Sequence, residues 1–69
     1  MKFIIVTDRR APNKQELMVF VQHIAAIRTN QFIGYDVVTL ILSSGYEIEI
    51  CESVVELNDR LSRPVVAYT

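Results

Sequence analysis

The chain has 69 residues with a formal net charge of −1, and 51% of its residues are hydrophobic. This length fits one domain, residues 1–69, and a chain so rich in Leu, Ile and Val is not disordered. The near-neutral charge excludes a global electrostatic attraction to nucleic acid or to an anionic membrane, so binding of that kind needs a local basic patch.

The first predicted strand is residues 3–7, because Phe3-Ile4-Ile5-Val6-Thr7 is a continuous apolar run rich in β-branched side chains. The polar run 8–15 follows and is predicted to be an exposed loop. This loop holds three basic residues, and a fourth lies further along the chain. These four are the predicted nucleic-acid contacts: Arg9, Arg10, Lys14 and Arg28. The alternative interpretation of the loop is a solvated connection.

Residues 13–28 fit two interpretations. Apolar residues at helical spacing, preceded by Asn13 and Glu16 as a capping box, favour a helix. The run 17–21 is apolar on every side and contains β-branched residues, which favours a strand. We expect two short strands, 17–21 and 24–29, with an irregular step between them that bends the sheet as in a small barrel.

Residues 30–36 are predicted to be a loop, because Gly34 and its Asn and Asp neighbours favour turn geometry. The loop is unusually apolar for an exposed connection, since it contains Phe32, Ile33 and Tyr35. Exposed apolar clusters tend to mark contact surfaces. We therefore interpret this loop either as a contact surface or as a lid that folds back on the core.

The clearest order in the chain lies in residues 37–50, which are predicted to be a β-hairpin around the loop Ser43-Ser44-Gly45. In the second strand isoleucines alternate with glutamates, which indicates one buried face and one wet face. The first strand is apolar on both faces. Val37 and Ile41 therefore point away from the core side and need cover from elsewhere.

A helix is predicted from Ser53 to Arg63, because Ser53 and Glu56 fit a capping box and Pro64 ends the helix. Helical spacing predicts an apolar stripe of Val54, Leu57 and Leu61 and two surface ion pairs, Glu56 with Arg60 and Asp59 with Arg63. The β-like segment 65–69 has no obvious partner inside the chain. It is predicted to pair with a neighbouring subunit or to be a tail.

The sequence names no catalytic chemistry. Its single histidine, His23, and single cysteine, Cys51, make neither an internal disulfide nor a structural zinc site. We find no nucleophile with a base, no paired carboxylates and no phosphate-binding glycine loop. We therefore predict a protein that is not an enzyme and uses no metal or cofactor. Three acidic residues are expected to form a solvated face: Glu47, Glu49 and Glu52.

We also expect no targeting signal. The apolar run after Met1 and Lys2 is too short for a signal peptide, and no run of about 18 apolar residues forms a membrane helix. We therefore expect a soluble cytoplasmic protein with no membrane partner.

Five segments between Val21 and Leu61 follow one another in a recognisable order: Val21-Gln22-His23-Ile24-Ala25-Ala26-Ile27, Val38-Thr39-Leu40, Gly45, Ile48-Glu49-Ile50 and Glu52-Ser53-Val54-Val55-Glu56-Leu57. This order of strand, loop, strand, glycine, strand and helix start resembles the small flagellar FlbD-type proteins and related bacterial or phage proteins. The resemblance implies a compact barrel-like fold and a flagellar accessory role.

The same order is similar to two wider groups. Sm-like proteins are bent five-stranded barrels that form rings and often bind RNA, although their glycine-rich signature has no counterpart at Ser62-Arg63-Pro64, so their RNA-binding residues do not carry over. The DNA-binding domains of LytTR-type regulators also place a strand, a glycine turn, a strand and a helix in this order. That resemblance implies a DNA-binding regulatory role.

We predict a mainly β (α+β) fold, either a bent five-stranded antiparallel sheet or a small SH3/Sm-like barrel, with one C-terminal helix. The predicted function is a non-enzymatic binding or assembly module that acts as a homo-oligomer, with RNA as a candidate partner. The alternatives are a DNA-binding regulator and a flagellar accessory protein. Apolar side chains in excess of what one helix covers define the predicted oligomer interface: Phe32, Ile33, Tyr35, Val37, Ile41, Val65 and Val66.

Overall fold

The structure is a computed structural model, and it describes residues 1–66. Its elements in chain order are β1 (Lys2–Thr7), β2 (Glu16–Phe20), β3 (Ile24–Phe32), β4 (Tyr35–Leu42), β5 (Glu47–Ile50), α1 (Val54–Ser62) and β6 (Val65–Val66). All pairings are antiparallel and form two three-stranded sheets, with strand orders β2-β1-β6 and β3-β4-β5. The prediction of a mainly β fold with one C-terminal helix is confirmed, and the strands form two sheets that are not closed into a barrel.

The two sheets are joined at one corner, where the chain leaving β1 runs beside β5. Asp8 forms an antiparallel bridge with Ile50. The backbone N–H of Arg9 donates to the Glu49 carbonyl and that of Cys51 donates to the Thr7 carbonyl, each at 2.9 Å. Because β2 and β3 are the edge strands of their sheets, the opposite side of the fold is not closed by strand pairing.

The core lies between the two sheets and is covered by α1. Alternate residues of β1, β4 and β5 point inward, and one residue each from β2 and α1 completes the cluster: Ile4, Val6, Val19, Val38, Leu40, Ile48, Ile50 and Leu57. Burying each side chain of this size contributes about 1.5–3 kcal/mol. These contacts provide the main apolar stabilisation of the fold.

The region 13–28 contains β2 and the first part of β3, so the preferred interpretation of two strands is confirmed, with shifted bounds, and the helix is wrong. Val19 points into the core opposite Ile4, while Met18 faces outward opposite Ile5. Adjacent side chains that point to opposite faces, as Val19 and Met18 do, are the mark of a strand and not of a helix. The irregular step is a 3₁₀ turn, Val21–His23, followed by a bulge at the start of β3.

The loop predicted at residues 30–36 is wrong, because β3 and β4 continue through it to a two-residue turn at Ile33 and Gly34. Gly34 has φ +87°, which a tight hairpin turn requires and which glycine adopts without steric cost. Polar residues are compatible with this part of the hairpin because both of its faces are largely exposed. The hairpin predicted at residues 37–50 is confirmed as β4 and β5.

Helix α1 begins as the sequence predicts. The Ser53 hydroxyl accepts a hydrogen bond from the Glu56 backbone N–H at 3.2 Å, and the Glu56 carboxylate accepts one from the Ser53 N–H at 3.3 Å. Leu57 is buried and Leu61 packs against the core, whereas Val54 is 49% exposed and only partly joins the stripe. No helix within residues 1–66 has the length and apolar character needed to cross a bilayer.

One of the two predicted ion pairs on the helix is present. Arg63 pairs with Asp59, as expected from their spacing. The pair of Glu56 with Arg60 is wrong, because the Glu56 carboxylate is used in the capping box and the Arg60 guanidinium turns to Glu52.

The expectation that the C-terminal segment lacks a partner inside the chain is also wrong for its first residues. Val65 and Val66 form β6 and pair with Phe3 and Lys2 of β1. This pairing places β6 at the edge of the first sheet. Residues 67–69 of the predicted segment lie outside the described residues.

Candidate functional site

Two arginines predicted to contact nucleic acid lie on the face of the β3-β4-β5 sheet that points away from the core, which we call the open face. Strand alternation and register place Arg28, Thr39 and Glu49 side by side there. Arg28 pairs with Glu47, and Arg10 reaches over from the β1–β2 connection to pair with Glu49. The positive charges of both arginines are therefore matched by glutamates.

The other two predicted contacts behave differently. The Arg9 guanidinium lies 5.2 Å from the centre of the Tyr35 ring, in cation–π geometry. Lys14 lies in the exposed turn between β1 and β2, with φ 48°, and its backbone N–H donates to the Ala11 carbonyl. The structure thus brings Arg9, Arg10 and Arg28 to the same sheet and leaves Lys14 apart from them.

A groove of about 420 Å³ lies on the open face. Val37 and Thr39 line it and are only 4% and 2% exposed. The two Arg–Glu pairs described above line it as well, together with Asn30, Phe32, Gly45 and Tyr46. Because cations and carboxylates balance, the groove lacks the excess positive charge that a phosphate backbone requires.

The end of the β3–β4 hairpin extends beyond its neighbour β5, which pairs only with residues 38–41 of β4. We call the projecting part, residues 30–37, the arm, and its three residue pairs span about 10 Å. The Phe32 and Tyr35 rings stack with centroids 5.2 Å apart and planes at 17°. Ile33, at the turn, is fully exposed, and both rings are 51% exposed. The arm is therefore an ordered projection with an apolar end.

A second concave site, which we call the β2 cleft, has a volume of about 450 Å³. It lies where β2 faces the β4–β5 turn. Its lining is mostly apolar, with a few polar groups: Leu17, Met18, Val19, Phe20, Leu42, Ile48 and Tyr46, with Asp8, His23 and Ser44. Apolar lining with few polar groups is typical of sites that bind side chains or small apolar ligands.

Glu52 was expected on a solvated acidic face with Glu47 and Glu49, and that expectation is wrong because Glu52 is only 6% exposed. Its carboxylate accepts hydrogen bonds from the Thr7 backbone N–H at 2.8 Å and the Thr7 hydroxyl at 2.9 Å. The Arg60 guanidinium donates to it at 2.5 Å and also to the Ile5 carbonyl at 2.8 Å. We call this cluster the joint, because it links β1, the end of β5 and α1.

The joint favours the charged form of Glu52. Burial acts to raise the pKa of this carboxyl, but the Thr7 backbone N–H, the Arg60 guanidinium and the Thr7 hydroxyl stabilise the carboxylate. Together they hold its pKa below the ordinary value of 4.5. A buried carboxylate with this many donors is a structural element of the fold.

The two residues with metal-binding or nucleophilic potential lie apart. His23 is exposed, with its ring edge-on to Phe20, and Cys51 is exposed at the end of β5. Within residues 1–66, no group of three His, Cys, Asp or Glu side chains is arranged to hold a metal ion.

The predicted interface residues fall on three parts of the molecule. Phe32, Ile33 and Tyr35 come together in the arm. Val37, at the base of the arm, is buried by its own chain, so the argument that it needs cover from another subunit does not hold. Ile41, on the same face of β4, is half-buried. The two valines of β6, 51% and 46% exposed, lie in the other sheet.

Sequence reasoning missed several exposed apolar residues. Met18 is 57% exposed beside the β2 cleft, and Val55 is 78% exposed on α1. Strand alternation could have identified Met18, because it is adjacent to the inward-facing Val19 and must therefore face outward.

No protein-family model, curated protein or solved structure matches this chain. The resemblances to FlbD-type, Sm-like and LytTR-type proteins therefore stay predictions.

Proposed function

We propose that this protein is a non-enzymatic binding and assembly module, a small SH3-like or Sm-like barrel with one open side that works as a homo-oligomer. One observation carries the proposal: large apolar side chains stay exposed although the core of the fold is filled. The most exposed of them are Ile33, Val55, Tyr46, Met18 and Met1. Each side chain of this kind gains about 1.5–3 kcal/mol when it leaves water.

The total surface supports the same proposal. The chain exposes 4988 Å², whereas a folded monomer of 7.9 kDa is expected to expose about 4,400 Å². The excess agrees with a projecting arm and an unclosed side between the sheets. Association between copies is the direct way to remove this surface from water.

The free edges of the sheets add a further reason for assembly. Strand β3 has nine residues, Ile24–Phe32, and forms the outer edge of its sheet. It contains neither proline nor lysine, and its bulge and its one charged residue, Arg28, lie in its first five residues. Residues 29–32 therefore carry none of the features that protect such edges from pairing with another chain. An edge of this length is protected when a neighbouring subunit covers it.

A nucleic-acid-binding function is the second candidate, and the ring stack on the arm favours it. The stacked Phe32 and Tyr35 rings, with the Arg9 guanidinium over Tyr35, resemble the stacking surfaces on which single-stranded RNA is held. The pairing of Arg10 and Arg28 with glutamates weighs against it. A DNA-binding regulatory role uses the same arginines and meets the same objection.

The second candidate is tested by titrating labelled single-stranded RNA at several salt concentrations. A binding function predicts that the logarithm of the binding constant falls with the logarithm of the salt concentration, with a slope of about −0.7 for each neutralised phosphate. It also predicts that Arg9→Ala weakens RNA binding. Arg63→Ala, which changes an arginine on α1, serves as the matched control. We expect weak binding or none. Tight, salt-dependent binding that is lost in Arg9→Ala alone would place this function first.

The assembly proposal is tested by light scattering of the purified protein with its ratio of absorbance at 260 and 280 nm. We expect a molar mass that is a multiple of 7.9 kDa and an absorbance ratio typical of protein alone. A compact monomer at high micromolar concentration contradicts the proposal. A high absorbance ratio together with a large mass identifies co-purified nucleic acid and supports the second candidate.

A further inference from the structure

We infer that the subunits join head to tail, with the arm of one copy inserted in the β2 cleft of the next. This inference rests on the proposed homo-oligomer and names the two surfaces that form it. The arm presents Phe32, Ile33 and Tyr35 at its end, and the cleft presents Leu17, Met18 and Phe20 along its lining. The end of the arm and most of the cleft lining are apolar, and both are uncovered within the described chain.

The arm is ordered for insertion before any partner arrives. The stacked rings of Phe32 and Tyr35 and the Arg9 guanidinium over Tyr35 fix the two aromatic side chains. The turn between them, Ile33-Gly34, carries no charge. Little side-chain freedom is therefore lost on docking, which is a major cost of association, and insertion of the turn itself buries no charge.

The cleft has the size and chemistry to receive these side chains. Its volume of about 450 Å³ is within the range of about 300–1,000 Å³ in which protein pockets enclose ligands. It reaches Val19 and Ile48 of the core, so an inserted side chain extends the existing core instead of forming a separate contact. Asp8, His23 and Ser44 supply polar groups in the lining for the backbone of an incoming turn.

The positions of the two surfaces exclude the chain's own arm and fit the arm of a second copy as the occupant. Strand β4 begins at Tyr35 in the arm and ends at Leu42 in the cleft lining. These seven residue steps separate the two surfaces by about 23 Å, so a chain does not fill its own cleft. Every copy carries the projection at one end of β4 and the cavity at the other. A closed ring of such contacts fills every cleft and leaves no arm free.

The test uses two variants that each destroy one side of the contact. Ile33→Lys places a charge at the end of the arm, and Met18→Lys places one at the cleft, both at exposed positions that tolerate polar substitution. Val55→Lys is the matched control, since Val55 is an exposed apolar residue of α1 outside both surfaces. Light scattering measures the molar mass of each protein, and circular dichroism verifies that each is folded. Ser44→Arg replaces Met18→Lys if the latter does not fold.

We expect Ile33→Lys and Met18→Lys each to run as a 7.9 kDa monomer and Val55→Lys to keep the wild-type mass. Mixing the two monomeric variants restores one intact arm and one intact cleft, so the mixture should form a 1:1 dimer. The inference is overturned if either variant keeps the wild-type mass or if the mixture stays monomeric, since a symmetric contact or another occupant of the cleft gives those results. Loss of assembly in Val55→Lys also overturns the inference, because it would show that α1 forms the contact between subunits. A monomeric wild-type protein instead refutes the proposed function.

Discussion

The joint and the arm differ in how their side chains are satisfied within one small chain. At the joint, the buried carboxylate of Glu52 receives hydrogen bonds from Thr7 and Arg60, so the polar groups brought together there are satisfied inside the chain. In the arm, Ile33 is fully exposed and two aromatic rings are half exposed. We therefore expect the joint to govern folding and the arm to govern the proposed assembly. Changes at the two places should therefore have separable effects.

The largest effect on stability is expected from Arg60→Met. This change keeps much of the side-chain length but leaves Glu52 buried without its cation. Breaking a buried pair costs about 3–5 kcal/mol, and we expect about 3 kcal/mol because Arg60 is partly exposed. The matched control is Arg63→Met, whose surface pair with Asp59 should contribute about 0–1 kcal/mol.

Urea denaturation at one fixed protein concentration measures both changes. Equal losses of unfolding free energy in Arg60→Met and Arg63→Met would show that the joint contributes no more to stability than a surface ion pair. A molar mass that changes in Arg60→Met while the protein remains folded would show that the joint also serves assembly.

The joint should also produce a pH dependence. Because the pKa of Glu52 is lowered in the folded state, the unfolded state binds the proton more readily. The stabilisation is present above the ordinary pKa of 4.5 and is lost as the pH falls through the folded-state pKa. Glu52→Gln should be less stable than the wild type at neutral pH, with the two denaturation midpoints converging in acid. If the difference between the two denaturation midpoints stays the same at every pH, Glu52 is not a source of this pH dependence.

Next in size is the helix start beside the joint. Ser53→Ala removes a cap worth about 0.5–2 kcal/mol, since the Glu56 backbone N–H loses its acceptor. Ser62→Ala is the control, because the Ser62 hydroxyl only donates back to the Asn58 carbonyl near the helix end, and such bonds contribute little. An unchanged denaturation midpoint in Ser53→Ala would argue that the cap does not hold the helix.

The smallest effect on folding is expected at the arm. Ile33 makes no contribution to the core, so Ile33→Lys should change the free energy of unfolding of the monomer by no more than about 0.5 kcal/mol. The measurement is urea denaturation at a concentration low enough to dissociate the wild type. A larger loss would mean that the end of the arm folds back and stabilises its own chain.

Local signals predicted much of this fold. The β4–β5 hairpin was found because alternation and Gly45 act over short distances, and α1 was found because Ser53 and Glu56 define its start. The end of the β3–β4 hairpin was missed because both faces of its strands are largely exposed. Apolar and polar residues alternate along a strand only where one face is buried, so this part of the sequence carries no such pattern. The separation into two sheets was not predicted, because it depends on pairings such as that of β6 with β1, which join distant parts of the chain.

The joint shows why much of the site escaped prediction. Strict alternation puts Glu52 in phase with the buried Ile48 and Ile50, so the sequence held a signal for its burial. Its charge indicated a solvated position instead, because a buried carboxylate needs donors. Those donors are Thr7, 45 residues earlier, and Arg60, eight residues later. No local spacing connects them.

The dependence of the melting temperature on protein concentration tests the central claim most directly, because an oligomer is stabilised by mass action and a monomer is not. Wild-type protein and Ile33→Lys should be melted over about a hundredfold range of concentration. We expect the melting temperature of the wild type to rise with concentration and that of Ile33→Lys to stay constant. A wild-type melting temperature that does not change with concentration would contradict the account and assign the exposed apolar residues to a monomer.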